Sequence, residues 1–320
     1  MIGIGVDIGG TFVKFYVMNE HGEILRKEKM ETLPSIGADG FLRQIASFIN
    51  QIKTQFSGQP IAVGVGAPGD VDNQRGILRY NPNLPFQNID HWPLADILQK
   101  YTAIRPYVAN DATLATWGIY ESLLKRQGDN VLVVTLGTGV GGGLILGKEL
   151  YQGSNGTAGE IGHTKIDCSP SAPLCGCGER GCLEAFVGTI GIRRRVMESI
   201  RRQPHSTLAE MVQQEQNFKI ELVSRAAEQG CPVALKIWQD TGFFLGTGIA
   251  NAVLALDVDT VVLTGGVSGA AKYFLSETQN VLNRQKIQTP FKNMKLLVSQ
   301  DPNMGGVGAA MYAIYQELKK

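Results

Sequence analysis

Cys175, Cys177 and Cys182 stand at C-x-C-x4-C spacing in a stretch punctuated by Gly176, Gly178 and Gly181, with His163 upstream. Three thiolates and one imidazole form the donor set of a tetrahedral zinc site, and soft sulfur ligands argue against magnesium or calcium. A disulfide between Cys175 and Cys177 would be strained, since the two lie too close along the chain. Cys168 supplies another thiol, so an all-thiolate set with Cys168 in place of His163 stays open beside the preferred set of three cysteines and one histidine. Cys231, directly before Pro232, reads as a small buried residue at a helix start.

A second chemistry lies in Asp7-Ile8-Gly9-Gly10-Thr11 and in Gly137-Thr138-Gly139. A carboxylate leaving a buried strand beside glycines and a hydroxyl suits the water shell of Mg2+ and a phosphoryl group in transfer. With no Cβ in the way, the backbone N–H groups of such loops can approach an anion closely. A third feature is Asn110-Asp111, where an apolar strand gives way to a helix; by residue type alone this pair is a helix cap. His21, His91 and His205 stand in polar turn or helix-edge contexts and read as surface residues.

The elements that carry these groups follow from periodicity. Apolar strands are expected at 2–8, 12–18 and 61–65, with a short one at 23–27, and a helix places Phe41, Leu42, Ile45, Phe48, Ile49, Ile52 and Phe56 on one face. The same grammar returns from residue 131. A strand over 131–136, the Gly137-Thr138-Gly139 turn and a returning strand over 142–146 repeat the opening hairpin, and a further strand over 261–264 ends at Gly265-Gly266 before a helix from about residue 269. Two glycine-turned hairpins, each opening a half of strands followed by helices, predict a duplicated α/β architecture. The expected division is 1–125 for the first domain, with a C-terminal helix over about 304–320 packing back on it, and 126–303 for the larger second domain. Residues 64–69 and 137–142 both match GxGxxG, but a dinucleotide site needs a helix directly after the glycines, and a turn or a strand is expected instead.

Composition bounds the function. The 320 residues carry 39 glycines, roughly 12% against a typical ~7%, without a collagen-like period. Thirty basic residues against 29 acidic ones leave a net charge of +1, which offers no electrostatic footprint for nucleic acid or an anionic membrane surface. The most apolar stretch, 231–256, contains Lys236 and Asp240 and reads as a buried helix rather than a membrane span. The N-terminus lacks the pattern of a signal peptide, so a cytoplasmic location is expected.

Asp7 to Thr11, Leu136 to Gly139 and Leu263 to Gly266 resemble the phosphate-1, phosphate-2 and adenosine motifs of the actin-like ATPase and sugar-kinase superfamily. Glu160-Ile161-Gly162-His163 and Cys175 to Glu184 are similar, position by position, to the ExGH and CxCGxxGCxE signatures of the ROK family (repressors, open reading frames and kinases), and the resemblance extends over essentially the whole chain. It implies a two-domain actin-like (ribonuclease H-like) α/β fold with a duplicated mixed sheet flanked by helices. It also implies ATP with Mg2+, a structural Zn2+ and a homodimer or tetramer; from the charge balance, no nucleic-acid or membrane partner is expected.

Carried onto this chain, the resemblance makes Asp111 the base that takes the sugar hydroxyl proton. Gly69, Asn83, Asn110, Asp111, Glu160, His163 and Glu184 become the hexose site, and Asp7, Gly9, Gly10, Thr11, Gly137, Thr138, Gly139, Gly265 and Gly266 the nucleotide site. His163, Cys175, Cys177 and Cys182 become the zinc ligands. The implied reaction is phosphorylation of a hexose 6-hydroxyl, glucose first, with N-acetylglucosamine, N-acetylmannosamine, mannose and fructose as alternatives and polyphosphate as an alternative donor. A sugar-sensing repressor is disfavoured, because the first strand begins at Ile2 and leaves no room for a helix-turn-helix before it. Two departures stand out: a longer loop between His163 and Cys175, and a lysine, Lys14, placed later than in many members.

Overall fold

The structure, a computed structural model, describes the chain except residues 82, 83, 87, 88 and 216. Twelve strands are described: β1 (Ile2–Ile8), β2 (Phe12–Asn19), β3 (Ile24–Glu31), β4 (Ile61–Ala67), β5 (Asp70–Asp72), β6 (Ile77–Tyr80), β7 (Tyr107–Asn110), β8 (Val131–Leu136), β9 (Val140–Leu146), β10 (Glu149–Tyr151), β11 (Thr260–Thr264) and β12 (Lys295–Val298). They form one sheet of order β3-β2-β1-β4-β7, a second of order β10-β9-β8-β11-β12, and a small β5-β6 pair. The two large sheets have the same plan: three strands consecutive in sequence, then two reached by crossovers. The expected duplication is therefore present, and the sheets are mixed, with β1, β4 and β7 parallel in the first and β8, β11 and β12 parallel in the second.

The chain divides into two compact units, one of residues Met1–Asp129, Gly143–Gly159 and Pro302–Lys320, the other of Asn130–Gly142 and Glu160–Asp301. Residues 143–159, read from the sequence with the second domain, cluster with the first unit. Gly143 lies so close to Thr116 that a Cβ there would stand 2.1 Å from its Oγ1, and Glu149 binds Tyr315 and Lys319 at 2.6 and 2.8 Å.

In the first unit the alternation of β1 sorts its faces. Ile2, Ile4, Val6 and Ile8 enter one core with Phe41, Leu42, Ile45, Ile49 and Ile52 of the helix Gly37–Gln55. The residues between them, Gly3, Gly5 and Asp7, fall on the opposite face. That face receives the helix Met304–Leu318 at very short range: a Cβ on Gly5 would stand 1.9 Å from the Gly306 carbonyl oxygen, and one on Gly64 of β4 2.0 Å from that of Ala309.

In the second unit the helix Pro232–Leu256 packs along the helix Ala271–Asn283 through Gly242 and Gly246. No helix among the described residues is long and apolar enough to cross a membrane.

Candidate functional site

Within the first unit, register brings the chemical groups to one edge. Asp7 of β1 is level with Gly66 of β4, and Ala67 of β4 with Asn110 of β7, so Asp7 and the Asn110-Asp111 pair leave the carboxyl ends of the two parallel strands on either side of β4, on the edge where open α/β sheets hold ligands. The Asp7 side chain is 21% exposed, and the Lys14 ammonium, opposite it on β2, lies 3.8 Å away. Burial raises the Asp7 carboxyl above its ordinary value, and Lys14 offsets part of the shift. The turn after β1 is tied down by Thr32, whose hydroxyl donates to the Gly9 carbonyl at 2.8 Å and whose N–H donates to that of Thr11 at 2.9 Å. Gly10 and Thr11 are left exposed at its tip.

Asn110 caps the helix Asp111–Ser122. Its Oδ1 accepts from the N–H groups of Ala112 at 2.9 Å and Thr113 at 3.3 Å, while its Nδ2 donates to the Gly69 carbonyl at 3.1 Å. Asp111 is the first helical residue, and its Oδ1 accepts from Ala112 N–H at 2.8 Å. Gly69 has φ +97°, and a Cβ on it would stand 2.3 Å from the Tyr80 carbonyl oxygen, so both conformation and space reserve the position for glycine. Asn83 lies outside the described residues.

In the second unit the two remaining loops are neighbours. β8 and β11 run parallel with Thr135 level with Thr264, so Gly137-Thr138-Gly139 and Gly265-Gly266 both follow carboxyl ends, and a Cβ on Gly265 would stand 2.4 Å from the Leu136 carbonyl oxygen. The Gly137 carbonyl accepts from both the N–H and the hydroxyl of Thr189 at 2.9 Å. A 3-10 turn, Gly266–Ala270, separates Gly265 from the helix, which starts at Ala271 rather than near residue 269. Neither GxGxxG match is followed by a helix: β5 comes after Gly69, and β9 runs on through Gly142.

Glu184 opens a short helical turn, Glu184–Val187, and joins two features of the unit. Its Oε2 accepts from the Val140 N–H at 3.0 Å, directly after the Gly137-Thr138-Gly139 loop, and its Oε1 accepts from the Cys175 thiol at 3.2 Å. The ligand atoms of His163, Cys175, Cys177 and Cys182 all lie within 4.8 Å of one another, and Cys168, exposed, is not in the group. Two separations can be compared with zinc geometry. Cys177 Sγ and Cys182 Sγ are 3.8 Å apart, and Cys175 Sγ and His163 Nδ1 3.7 Å. A tetrahedral ion with bonds of about 2.3 Å to sulfur and about 2.0 Å to nitrogen needs S···S edges of about 3.8 Å and S···N edges of about 3.5 Å, so the set fits Zn2+.

His163 faces the cluster through Nδ1, which leaves Nε2 toward Glu160, 3.9 Å from its Oε2. The Lys165 ammonium lies 3.4 Å from Cys182 Sγ. Burial pushes the Cys175 thiol well above its ordinary range, and the Glu184 carboxylate adds to the shift.

Several supports of these groups are not readable as motifs. The approach of Gly305 to Asp7, where a Cβ would stand 3.1 Å from Cγ, joins residues from opposite ends of the sequence. Arg194 and Arg195 sit in a basic run, Arg193 to Arg195, that looks like a solvated helix face; the available signal was that Arg195 follows the buried Ile192 by three positions.

The ROK family model matches residues 3–316. The chain belongs to the ROK family. Among ROK relatives, a glucokinase of Thermotoga maritima is 33% identical over 270 residues, 84% of this chain and 83% of its own, and an N-acetylmannosamine kinase of Yersinia pestis is 31% identical over 271 residues, 85% of each. The crystal structure of a ROK glucokinase from Streptomyces griseus, in complex with glucose and AMPPNP, superposes with TM-score 0.79 at 31% identity, covering 98% of this chain and 100% of its own. The fold is thus the actin-like one that the motifs implied.

Proposed function

We propose that this ROK chain is a hexose kinase that transfers the γ-phosphoryl group of ATP to the 6-hydroxyl of glucose. The observation that carries the reading is the placing of Asp7 and the Asn110-Asp111 pair at the carboxyl ends of β1 and β7, the two parallel strands that flank β4, in a chain whose relatives include glucokinases.

Asp111 is the base. Its carboxylate accepts the proton of the sugar hydroxyl as that oxygen bonds to the γ-phosphorus and the bond to the bridging oxygen of the leaving ADP breaks, giving hexose 6-phosphate, ADP and one proton on Asp111. Asn110 holds Asp111 at the helix start and, through Gly69, ties it to the turn before β5. Mg2+, when bound, supplies charge neutralisation at the phosphate oxygens; Asp7, a lone part-buried carboxylate, suits its hydrated shell. The Gly9-Gly10-Thr11 and Gly137-Thr138-Gly139 turns offer N–H and hydroxyl donors to phosphate, and Gly265-Gly266 opens space for the adenosine.

Glu160, His163 and Glu184 accept from and donate to hexose hydroxyls, a set that rejects the wrong epimer by leaving a buried partner unsatisfied. Were Cys175 held on zinc as a thiolate, it would have no proton for Glu184 and would leave Oε1 to a hydroxyl. His163, were its Nδ1 to join Cys175, Cys177 and Cys182 in holding the ion, would keep its ring fixed with Nε2 outward. The family also carries the expectation of a homodimer or tetramer, which light scattering decides.

The test is ADP release over a panel of glucose, mannose, fructose, N-acetylglucosamine and N-acetylmannosamine, with ATP or polyphosphate as donor. Glucose with ATP should give the highest kcat/KM. Asp111→Asn should lower kcat roughly 10^2- to 10^4-fold while glucose still binds. Turnover unchanged in that variant removes Asp111 as base, and preference for an acetylhexosamine overturns the substrate.

A further inference from the structure

The helix Thr189–Arg202 carries a cation for which the proposed chemistry has no use. Arg195 is half-buried, and its Nε is sealed from solvent without an acceptor among the described residues. No carboxylate pairs with it at salt-bridge distance among those residues. Its hydrogen bonds go to neutral oxygens: Nη1 donates to the Ile237 carbonyl at 2.9 Å, and Nη2 to the Phe186 carbonyl at 2.9 Å and the Thr241 hydroxyl at 2.7 Å, while the Asp240 and Glu198 carboxylates favour its charge from a distance. The guanidinium also stands 5.7 Å from the Phe244 ring centre, and that ring packs on Phe186 at 4.4 Å. Burial lowers the Arg195 pKa to about 10, so it stays charged at neutral pH. A charge withdrawn from water costs several kcal/mol unless its surroundings return it, which makes an apolar residue the simpler choice at this position on stability grounds.

The acceptors show what the charge does instead. Phe186 lies in the turn Glu184–Val187, and the neighbouring Ala185 carbonyl accepts from Arg194 at 3.4 Å. Ile237 and Thr241 lie one turn apart on the long helix Pro232–Leu256, where the Thr241 hydroxyl also donates to the Ile237 carbonyl at 2.8 Å. Arg195 bridges the two elements: Nη1 binds the helix alone, and Nη2 binds both the helix, at Thr241, and the turn bearing Glu184, at Phe186. The planar guanidinium fixes the two acceptors relative to each other, which an ammonium cannot do.

We infer that Arg195 is a positioning residue: by pinning the Phe186 carbonyl to the long helix, it sets the place of the Glu184 carboxylate and thereby tunes affinity for the hexose. The inference rests on the kinase reading above, in which Glu184 meets the sugar. Glu184 Oε2 accepts from the Val140 N–H. That contact fixes the tip of the side chain, and Arg195 fixes its root.

The test is steady-state kinetics on the zinc-loaded chain with glucose calorimetry alongside. Arg195→Met should raise the glucose KM and dissociation constant about tenfold or more, since small misplacements of a binding group cost up to about 10^2-fold, with the ATP KM and zinc content unchanged. Arg195→Lys should fall between wild type and Arg195→Met. In a Glu184→Gln background, Arg195→Met should raise the glucose KM no further, because a residue acting through Glu184 has nothing left to place. Thr241→Val, which removes one acceptor and keeps the bulk, should give a smaller rise in the same parameter if Arg195→Met fails to fold.

A lower melting temperature with wild-type glucose KM overturns the inference, as do additive effects in the double variant. A wild-type chain that binds no hexose overturns the kinase reading with it.

Discussion

Asn110 is asked to do two separable jobs, and the structure lets each be weighed. Its oxygen caps the helix Asp111–Ser122 by accepting from Ala112 and Thr113, and its amide donates to the Gly69 carbonyl. Loss of an N-cap side chain costs about 1 kcal/mol, and loss of one neutral hydrogen bond about 1 kcal/mol, so Asn110→Ala should destabilise the fold by about 2 kcal/mol. Asn110→Ser retains a good cap but cannot reach Gly69, and should lose only about half as much.

Urea unfolding followed by tryptophan fluorescence reads both variants, since Trp117 is buried in the capped helix. kcat should fall in both and more in the alanine variant, because Asp111 occupies the first turn that the cap secures. Equal losses for alanine and serine would refute the separation of cap from clamp, and an unchanged midpoint for alanine would refute both.

Asp7→Asn should move stability and activity in opposite directions. Because burial raises the Asp7 carboxyl above its unfolded value, the fold favours the protonated form; the stability this group contributes is complete below the unfolded pKa and is lost as pH rises through the folded one. Thermal unfolding should therefore show the variant more stable than wild type at pH 8 and equal to it in acid, while phosphoryl transfer collapses; a destabilised variant at pH 8 contradicts the assignment. Zinc affinity should climb with pH by about tenfold per unit for each proton displaced, and the raised Cys175 thiol supplies at least one such proton near neutrality. Competition with a zinc chelator between pH 6 and 8 measures the slope, and a flat profile would remove Cys175 from the ligand set. Cys177→Ser should release the metal and lower hexose affinity together, checked by metal analysis and calorimetry.

What was legible from the residues alone has a physical pattern. The hairpin at Asp7 to Thr11 and its counterpart at Gly137 to Gly139 were readable because apolar alternation and glycine turns are local, and the gathering of His163, Cys175, Cys177 and Cys182 because the spacing of the cysteines is. The final helix could be assigned to the first domain, yet the Gly143–Gly159 segment could not, since its membership depends on the contact between Gly143 and Thr116. Lys14 was visible as a lysine out of its usual place, but only the cross-strand register with Asp7 gives it a partner. Arg195 was hidden by its company: among consecutive arginines, the one turned inward is distinguished by helix phase rather than by type. The division of labour within Asn110, cap on one atom and clamp on the other, required coordinates.

The near-contact of Gly5 and Gly64 with the backbone of the final helix has a temporal consequence. Strands β1 and β4 are among the first parts of the chain to be synthesised, but the surface that Gly3, Gly5 and Gly64 leave bare is filled by residues 302–320, which leave the ribosome after all of the second unit. The edge bearing Asp7 therefore waits for a segment made after the whole of the second unit, which makes its assembly a late event in the life of the nascent chain.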